Sequence, residues 1–163
     1  MKIRLAGIID SSISNGEGLR KVIFVQGCKH NCKGCHNPET HNIFGGTESD
    51  TKDIIDEIKS DFMIDGITLS GGDPFEQAEA CAEIAKSINN VWCYTGYTIE
   101  YILDHLDNPG WKDLLYNIDI LVDGPFKLDL KSTECKYRGS TNQRIIDVKN
   151  SLKSEEVVLY DNK

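Results

Sequence analysis

The sequence has no apolar run that approaches about 18 residues, so it lacks a segment able to cross a bilayer as a helix. Its first residues, MKIRLAGIIDSS, also lack the long apolar region and the small-residue cleavage site of a secretory signal. Basic residues are scarce, since 18 Lys and Arg stand against 26 Asp and Glu, giving a net charge of −8. A nucleic-acid-binding surface needs clustered Lys and Arg. These absences predict a cytoplasmic protein that contacts neither membrane nor nucleic acid.

The sequence also has no internal repeat, no low-complexity segment and no linker, and its 163 residues fit one domain spanning 1–163. Short runs rich in Ile and Val alternate with stretches of helical period, which favours an α/β fold built from parallel βα units. Strands are predicted at 4–9, 21–26, 66–70, 91–95, 119–122, 144–148 and 156–160. Helices are predicted at 51–62, 75–88, 98–106 and 111–116.

Four of the predicted strands end in polar or glycine-rich turns. A cysteine loop follows KVIFVQ, SGGDP follows GITL, TGY follows VWCY, and DGPF follows DILV. Ligands of parallel α/β sheets bind outside the carboxyl ends of the strands. The sequence therefore predicts one binding site at the edge of the sheet where these turns meet.

The cysteine loop contains Cys28, Cys32 and Cys35 in the spacing C-x3-C-x2-C. Six cysteines without a secretory signal indicate a reducing compartment, where clustered thiols serve metals or catalysis more often than disulfides. Three thiolates can hold a [4Fe–4S] cluster with one iron left open for a substrate. The alternative is a Cys3His zinc site. Its candidate fourth ligands are the nearby histidines His30, His36 and His41.

The cysteine loop after one strand, followed by a Gly-Gly-acid turn after the next, resembles the radical SAM enzymes. In that superfamily, S-adenosylmethionine binds the open iron through its amino and carboxylate groups. An electron passed through the cluster then cleaves the sulfonium bond. The resemblance implies a partial, laterally open (βα) barrel with two cofactors, a [4Fe–4S] cluster and S-adenosylmethionine.

Four motifs lie between Phe24 and Val148: FVQGCKHNCKGCHNPETH, SGGDPF, LVDGPF and YRGSTNQRIIDV. Together they resemble the activating proteins of anaerobic ribonucleotide reductases. This family implies hydrogen abstraction from a glycine of the large reductase subunit, with an electron from a small carrier such as flavodoxin. The alternatives are a radical SAM enzyme that serves another glycyl-radical enzyme, of the pyruvate formate-lyase type, or a small molecule. A zinc-bearing interaction module is the alternative from another class.

The resemblance also assigns roles to individual residues. The iron ligands would be Cys28, Cys32 and Cys35. The residues that match the Gly-Gly-acid motif, and would receive the amino group of S-adenosylmethionine, are Gly71, Gly72 and Asp73. Other contacts to S-adenosylmethionine are expected from Asn37, Thr95 and Gly96. The pattern departs at Gly34, where many superfamily members carry an aromatic residue beside the adenine.

Two further groups of residues have predicted roles. Cys81 and Cys93 are expected to be small buried hydrophobic residues within a helix and a strand. The basic residues near the end of the chain can form either a docking surface for the partner's glycyl loop or an ordinary solvated loop. They are Lys131, Lys136, Arg138 and Arg144.

Overall fold

The computed structural model describes residues 1–30, 32–35 and 38–160. Its strands are β1 (Lys2–Ser12), β2 (Arg20–Val25), β3 (Thr47–Asp50), β4 (Gly66–Gly71), β5 (Val91–Tyr94), β6 (Ile120–Asp123) and β7 (Arg144–Asp147). Its α-helices are α1 (Thr51–Ser60), α2 (Ala78–Ala85), α3 (Ile99–Leu103), α4 (Trp111–Leu115) and α5 (Val148–Ser154). Short 3-10 turns cover Pro38–Thr40, Pro74–Gln77 and Leu128–Leu130.

The strands form one mixed sheet in the order β3-β1-β2-β4-β5-β6-β7. The four central strands, β2, β4, β5 and β6, run parallel, as the alternation of strands and helices predicted. The outer strands run antiparallel to their neighbours, with β1 on β2, β3 on β1 and β7 on β6. The sheet is thus α/β and, over the described residues, open rather than closed on itself.

The parallel strands are buried on both faces, as strands covered by helices must be. Val22, Ile23 and Val25 of β2 have no exposed surface. Cys81 on α2 and Cys93 on β5 are also fully buried, which confirms the prediction that they are packing residues. Burial raises the pKa of both thiols well above the ordinary value, so they stay neutral.

The elements predicted from the sequence differ from the structure at both edges of the sheet. The strand β3 was not predicted, because TESD has no alternating apolar pattern and pairs only along the edge strand β1. The predicted strand at 156–160 is wrong, since that stretch makes one isolated bridge between Ile146 and Leu159. The helix α5 was also missed; Asp147 caps it by accepting a hydrogen bond from the Asn150 backbone N–H.

The amino-terminal ends of the parallel strands are joined by a buried arginine. Arg20 is completely inaccessible to solvent, and burial lowers its pKa to about 10. Its guanidinium donates to neutral oxygens throughout. The acceptors are Thr68 Oγ1, the Ile67 carbonyl, the Asn90 carbonyl and Oδ1, and the Glu17 carbonyl. Arg20 therefore holds together the amino-terminal ends of the parallel strands, at the edge of the sheet opposite the predicted binding site.

We expect Arg20→Lys to lower the free energy of unfolding by about 3 kcal/mol, because a lysine ammonium has fewer donors and leaves buried oxygens unpaired. Urea denaturation under anaerobic conditions measures the change. The exposed Lys52→Arg substitution is the control and should alter stability by less than about 0.5 kcal/mol. An equally small effect of Arg20→Lys would contradict the bracing role.

Candidate functional site

The carboxyl ends of the parallel strands surround a cavity of about 550 Å³. The predicted site residues that line it, and that the structure therefore brings together, are Cys28, Cys32, Cys35, Gly71, Gly72, Thr95 and Gly96. The expectation that four separate turns meet at one edge of the sheet is confirmed. Asp73 is not among the lining residues, and Asn37 and His36 lie outside the described residues.

The three thiols of the cysteine loop are free and half-buried. Burial raises the pKa of Cys28 to about 11; the backbone N–H of His30 opposes this shift, and the negative charges of Asp73, Cys32 and Cys35 add to it. Burial also raises the pKa of Cys32, against a hydrogen bond from the Phe126 backbone. The thiols lie close enough to repel one another when ionised. Such a group becomes thiolate when a metal replaces its protons.

Close backbone packing fixes the base of the cysteine loop to the end of β4. The backbone N–H of Asp73 donates to the Gly27 carbonyl at 2.8 Å, and that of Gly27 donates to the Thr40 carbonyl at 2.6 Å. A Cβ on Gly72 would lie far inside contact distance of the Gly27 carbonyl and 2.9 Å from that of Thr40. Gly71 adopts a positive φ of 101°. Glycine is therefore needed at both positions for the packing and conformation of the main chain itself, before any ligand binds.

The Asp73 carboxylate is completely buried and fully engaged with the protein. It accepts hydrogen bonds from the Phe75 and Gly96 backbone N–H groups, the Thr95 hydroxyl and His30 Nε2. A carboxylate has about four lone-pair sites, and this set of donors fills them. Burial alone lowers the pKa of His30, but the hydrogen bond and charge of Asp73 raise it above the ordinary value.

Two buried nitrogens of the cavity wall have no hydrogen-bond partner among the described residues, His41 Nε2 and Arg138 Nε. The Arg138 guanidinium is anchored through Nη1, which donates to the Gln143 carbonyl at 3.1 Å. In the described part of the wall, Lys136 is a second basic residue and no Asp or Glu is present. Buried polar groups are normally satisfied. Arg138 Nε–H can only donate, whereas His41 Nε2 donates or accepts according to its tautomer. The Arg138 nitrogen therefore favours a ligand that carries an acceptor atom.

The structure divides the basic cluster of the carboxyl-terminal segment into residues with different surroundings. Arg144 pairs with the buried carboxylate of Asp123 at 2.6 Å and also contacts Glu100. Both carboxylates raise the pKa of Arg144. Asp123 in turn accepts the Ile99 backbone N–H at the start of α3. Arg144 therefore joins β6, β7 and α3, and these ion pairs argue against a role for it as a free docking cation. Arg138 is half-buried in the cavity wall.

Phe126 was missed as a site residue, although DGPF was placed at the binding edge. It lines the cavity, and its ring packs against Gly139. Gly34 has a positive φ of 74°, and a Cβ there would lie 2.7 Å from the side chain of Leu128. The segment after β6 therefore covers the cysteine loop where many radical SAM enzymes carry an aromatic residue. The signal in the sequence was the aromatic residue two positions after the DG turn.

Two further observations concern membranes and metals. Within residues 1–30, 32–35 and 38–160, no helix has the length and apolarity needed to cross a membrane. In the same residues, no three His, Cys, Asp or Glu side chains are grouped closely enough to hold a single metal ion. A four-iron cluster needs a wider spacing of its ligands, because each cysteine binds a different iron.

Comparison with known proteins identifies the family. A family model described as a 4Fe-4S single cluster domain matches residues 14–146. The anaerobic ribonucleoside-triphosphate reductase-activating protein of Vibrio cholerae is 34% identical over 145 residues, covering 82% of this chain and 90% of that protein. The Haemophilus influenzae protein of that name is 35% identical, covering 83% and 92%. That of Enterobacteria phage T4 is 32% identical, covering 80% and 85%.

The chain belongs to the anaerobic ribonucleoside-triphosphate reductase-activating proteins. This confirms the resemblance stated from the motifs. The match to a single-cluster domain spans the entire C-x3-C-x2-C loop of this activating protein. It therefore favours the iron–sulfur interpretation of the loop over the zinc interpretation.

Proposed function

We propose that this activating protein holds a [4Fe–4S] cluster through Cys28, Cys32 and Cys35 and uses it with S-adenosylmethionine to generate the glycyl radical of an anaerobic ribonucleotide reductase. The observation that carries the proposal is the convergence of these thiols with the ends of β4 and β5 around one cavity. Bound there, the two cofactors supply the electron transfer and bond cleavage that lead to hydrogen abstraction from the glycine.

The residues of the cavity fit these cofactors. Three thiolates leave one iron of a cube-shaped cluster without a protein ligand, which suits the amino and carboxylate groups of S-adenosylmethionine. A cavity of about 550 Å³ lies within the usual range for small-molecule sites. Arg138 Nε and His41 Nε2, which have no partner among the described residues, can form hydrogen bonds with a ligand, and the Arg138 N–H does so as a donor. Gly71, Gly72, Thr95 and Gly96 would form the wall on the β4 and β5 side, and Asn37 remains a predicted contact.

Phe126 is the candidate for packing against the adenine. Its ring lines the cavity, and the backbone of the same residue reaches the sulfur of Cys32. An aromatic face stacks on any base without sequence-specific hydrogen bonds. Phe126 would thus do the work of the aromatic residue that many radical SAM enzymes carry at the position of Gly34.

The open sheet supports a partial, laterally open barrel of the radical SAM type. A closed barrel would exclude a polypeptide, whereas an open edge admits a glycyl loop from the large reductase subunit. Reaction requires the glycine Cα to lie close to the reactive carbon of the cofactor before cleavage. A small electron carrier such as flavodoxin would reduce the cluster, and the thiol content favours the reducing cytosol.

We expect Arg138→Gln to raise the dissociation constant for S-adenosylmethionine by about tenfold or more, the usual effect of losing a hydrogen bond to a charged group. Binding is measured anaerobically on protein whose visible spectrum shows an intact cluster. The exposed Lys131→Gln in the same segment is the control. Unchanged affinity combined with slower radical formation on the reductase would instead support the docking role predicted for Arg138 from the sequence.

Anaerobic purification tests the proposed function. The protein should be brown, contain about four irons per chain, and release 5′-deoxyadenosine from S-adenosylmethionine when a reductant is added. A colourless protein with tightly bound zinc would contradict the proposal and support the interaction module. Turnover of a soluble metabolite without a partner protein would support a small-molecule radical SAM enzyme.

A further inference from the structure

His30 lies between two of the predicted iron ligands in sequence, and its ring is held on several sides. Nε2 donates to Asp73 Oδ2 at 2.6 Å. The ring of Tyr97 packs edge-on against the imidazole with centroids 4.3 Å apart. Gly96 approaches so closely that a Cβ there would lie 2.6 Å from His30 Cδ2. The side chain of His30 is only 15% exposed. This imidazole is therefore fixed to the ends of β4 and β5.

The backbone of His30 contacts the cysteine loop at the same time. Its N–H donates to the sulfur of Cys28, which works against the rise in the pKa of that thiol. One residue thus holds an iron ligand through its main chain and the sheet through its side chain. Asp73 is the matching anchor, because it also accepts from the Thr95 hydroxyl and the Gly96 N–H.

We propose that His30 and Asp73 form a clasp that fixes the cysteine loop, and with it the cluster, against the ends of β4 and β5. Asp73 is then a positioning residue that acts through His30, and it does not itself receive the ammonium of S-adenosylmethionine. The reason is geometric. The carboxylate is 0% exposed and its acceptor sites are already occupied by protein donors. An ammonium could bind it only by displacing one of them.

The clasp has a consequence for the cluster's reduction potential. Hydrogen bonds to the cluster's sulfurs help to set that potential, and a donor that stabilises the more negative, reduced form raises it. If His30 is released from Asp73, its N–H is held less firmly against the Cys28 sulfur. The potential should then become more negative, and the loop should lose iron more readily. Both the change in potential and the loss of iron should occur in protein that has no S-adenosylmethionine bound. The inference therefore rests on the proposed cluster site but not on the cleavage reaction.

The test uses His30→Leu, Asp73→Asn, the double variant and the conservative His30→Gln in the full chain. The cluster potential and the rate of iron loss to a chelator are measured anaerobically without S-adenosylmethionine. His30→Leu and Asp73→Asn should each shift the potential in the negative direction and speed iron loss about tenfold, the usual effect of losing a buried charge-assisted hydrogen bond. The double variant should do no more than either single one. His30→Gln, which keeps a donor, should restore most of both properties. The control is His105→Leu, just beyond the carboxyl end of α3, whose ring reaches that of His30 only through Tyr101 and Tyr97.

Additive effects in the double variant, or a silent His30→Leu, would overturn the clasp. So would an Asp73→Asn protein with wild-type potential and iron retention but weakened binding of S-adenosylmethionine, since that pattern belongs to a direct ammonium acceptor. If Asp73→Asn does not fold, the comparison of His30→Leu with His30→Gln decides alone; equal defects in both would overturn the proposal. Failure of the proposed function is distinct, because the wild-type protein itself would then lack the cluster.

Discussion

Replacing Cys28, Cys32 or Cys35 by Ala is expected to abolish stable cluster loading and cleavage of S-adenosylmethionine. Each ligand lost opens a second iron and leaves the cube held at two corners, while its neighbours remain half-buried thiols with no metal to stabilise their ionised form. Iron content and 5′-deoxyadenosine release, measured after anaerobic reconstitution, are the readouts. We expect losses to background in both.

Cys81→Ala is the matched control for these variants. Its thiol is fully buried on α2, and it belongs to the hydrophobic core. This variant should lose a little stability, about 1 kcal/mol from the missing sulfur, and should keep its iron. Full cluster loading and activity in Cys32→Ala would contradict the assignment of the cysteine loop as the cluster site.

Gly72→Ala is expected to lower the free energy of unfolding by about 3 kcal/mol, at the upper end for an overpacked site, and to prevent stable cluster loading. The new methyl group would collide with the carbonyls of Gly27 and Thr40, neither of which can move without shifting the cysteine loop. Chemical denaturation of the metal-free protein and iron content of the reconstituted protein measure the two effects.

Gly7→Ala is the control for this second prediction, because no heavy atom lies within 4 Å of the position where its Cβ would be built. It should leave stability and iron content close to those of the wild type. A Gly72→Ala protein that folds normally and keeps its cluster but binds S-adenosylmethionine weakly would contradict the packing role. Gly72 would then serve the cofactor's approach, as the sequence suggested, rather than the packing of the loop.

The parallel centre of the sheet could be predicted because its information is local. Buried strands such as β2 and β6 appear in the sequence as short apolar runs, and the turn that follows each run marks its carboxyl end. Since parallel strands point the same way, the position of the site followed from their order along the chain. The three cysteines were placed at the cavity by the same reasoning.

The remaining features depend on contacts between distant parts of the chain. His30 and Asp73 are 43 positions apart, so no local pattern indicates that one binds the other. Asp73 was expected to face a ligand because a family motif contains an acid there, whereas its donors turn it inward. Arg138 and Arg144 are alike in sequence context. Only the folded structure shows that Arg138 lines the cavity whereas Arg144 is ion-paired with Asp123.

Electron paramagnetic resonance of the partner enzyme tests the proposed radical transfer most directly. The reconstituted protein is incubated without oxygen with S-adenosylmethionine, a reductant and its cognate anaerobic ribonucleotide reductase. We expect a glycyl-radical signal on the reductase that requires S-adenosylmethionine, the reductant and the cysteine loop, and that disappears with Cys32→Ala. A protein that carries an intact cluster and cleaves S-adenosylmethionine, yet leaves the reductase without a glycyl radical, would contradict the proposed radical transfer.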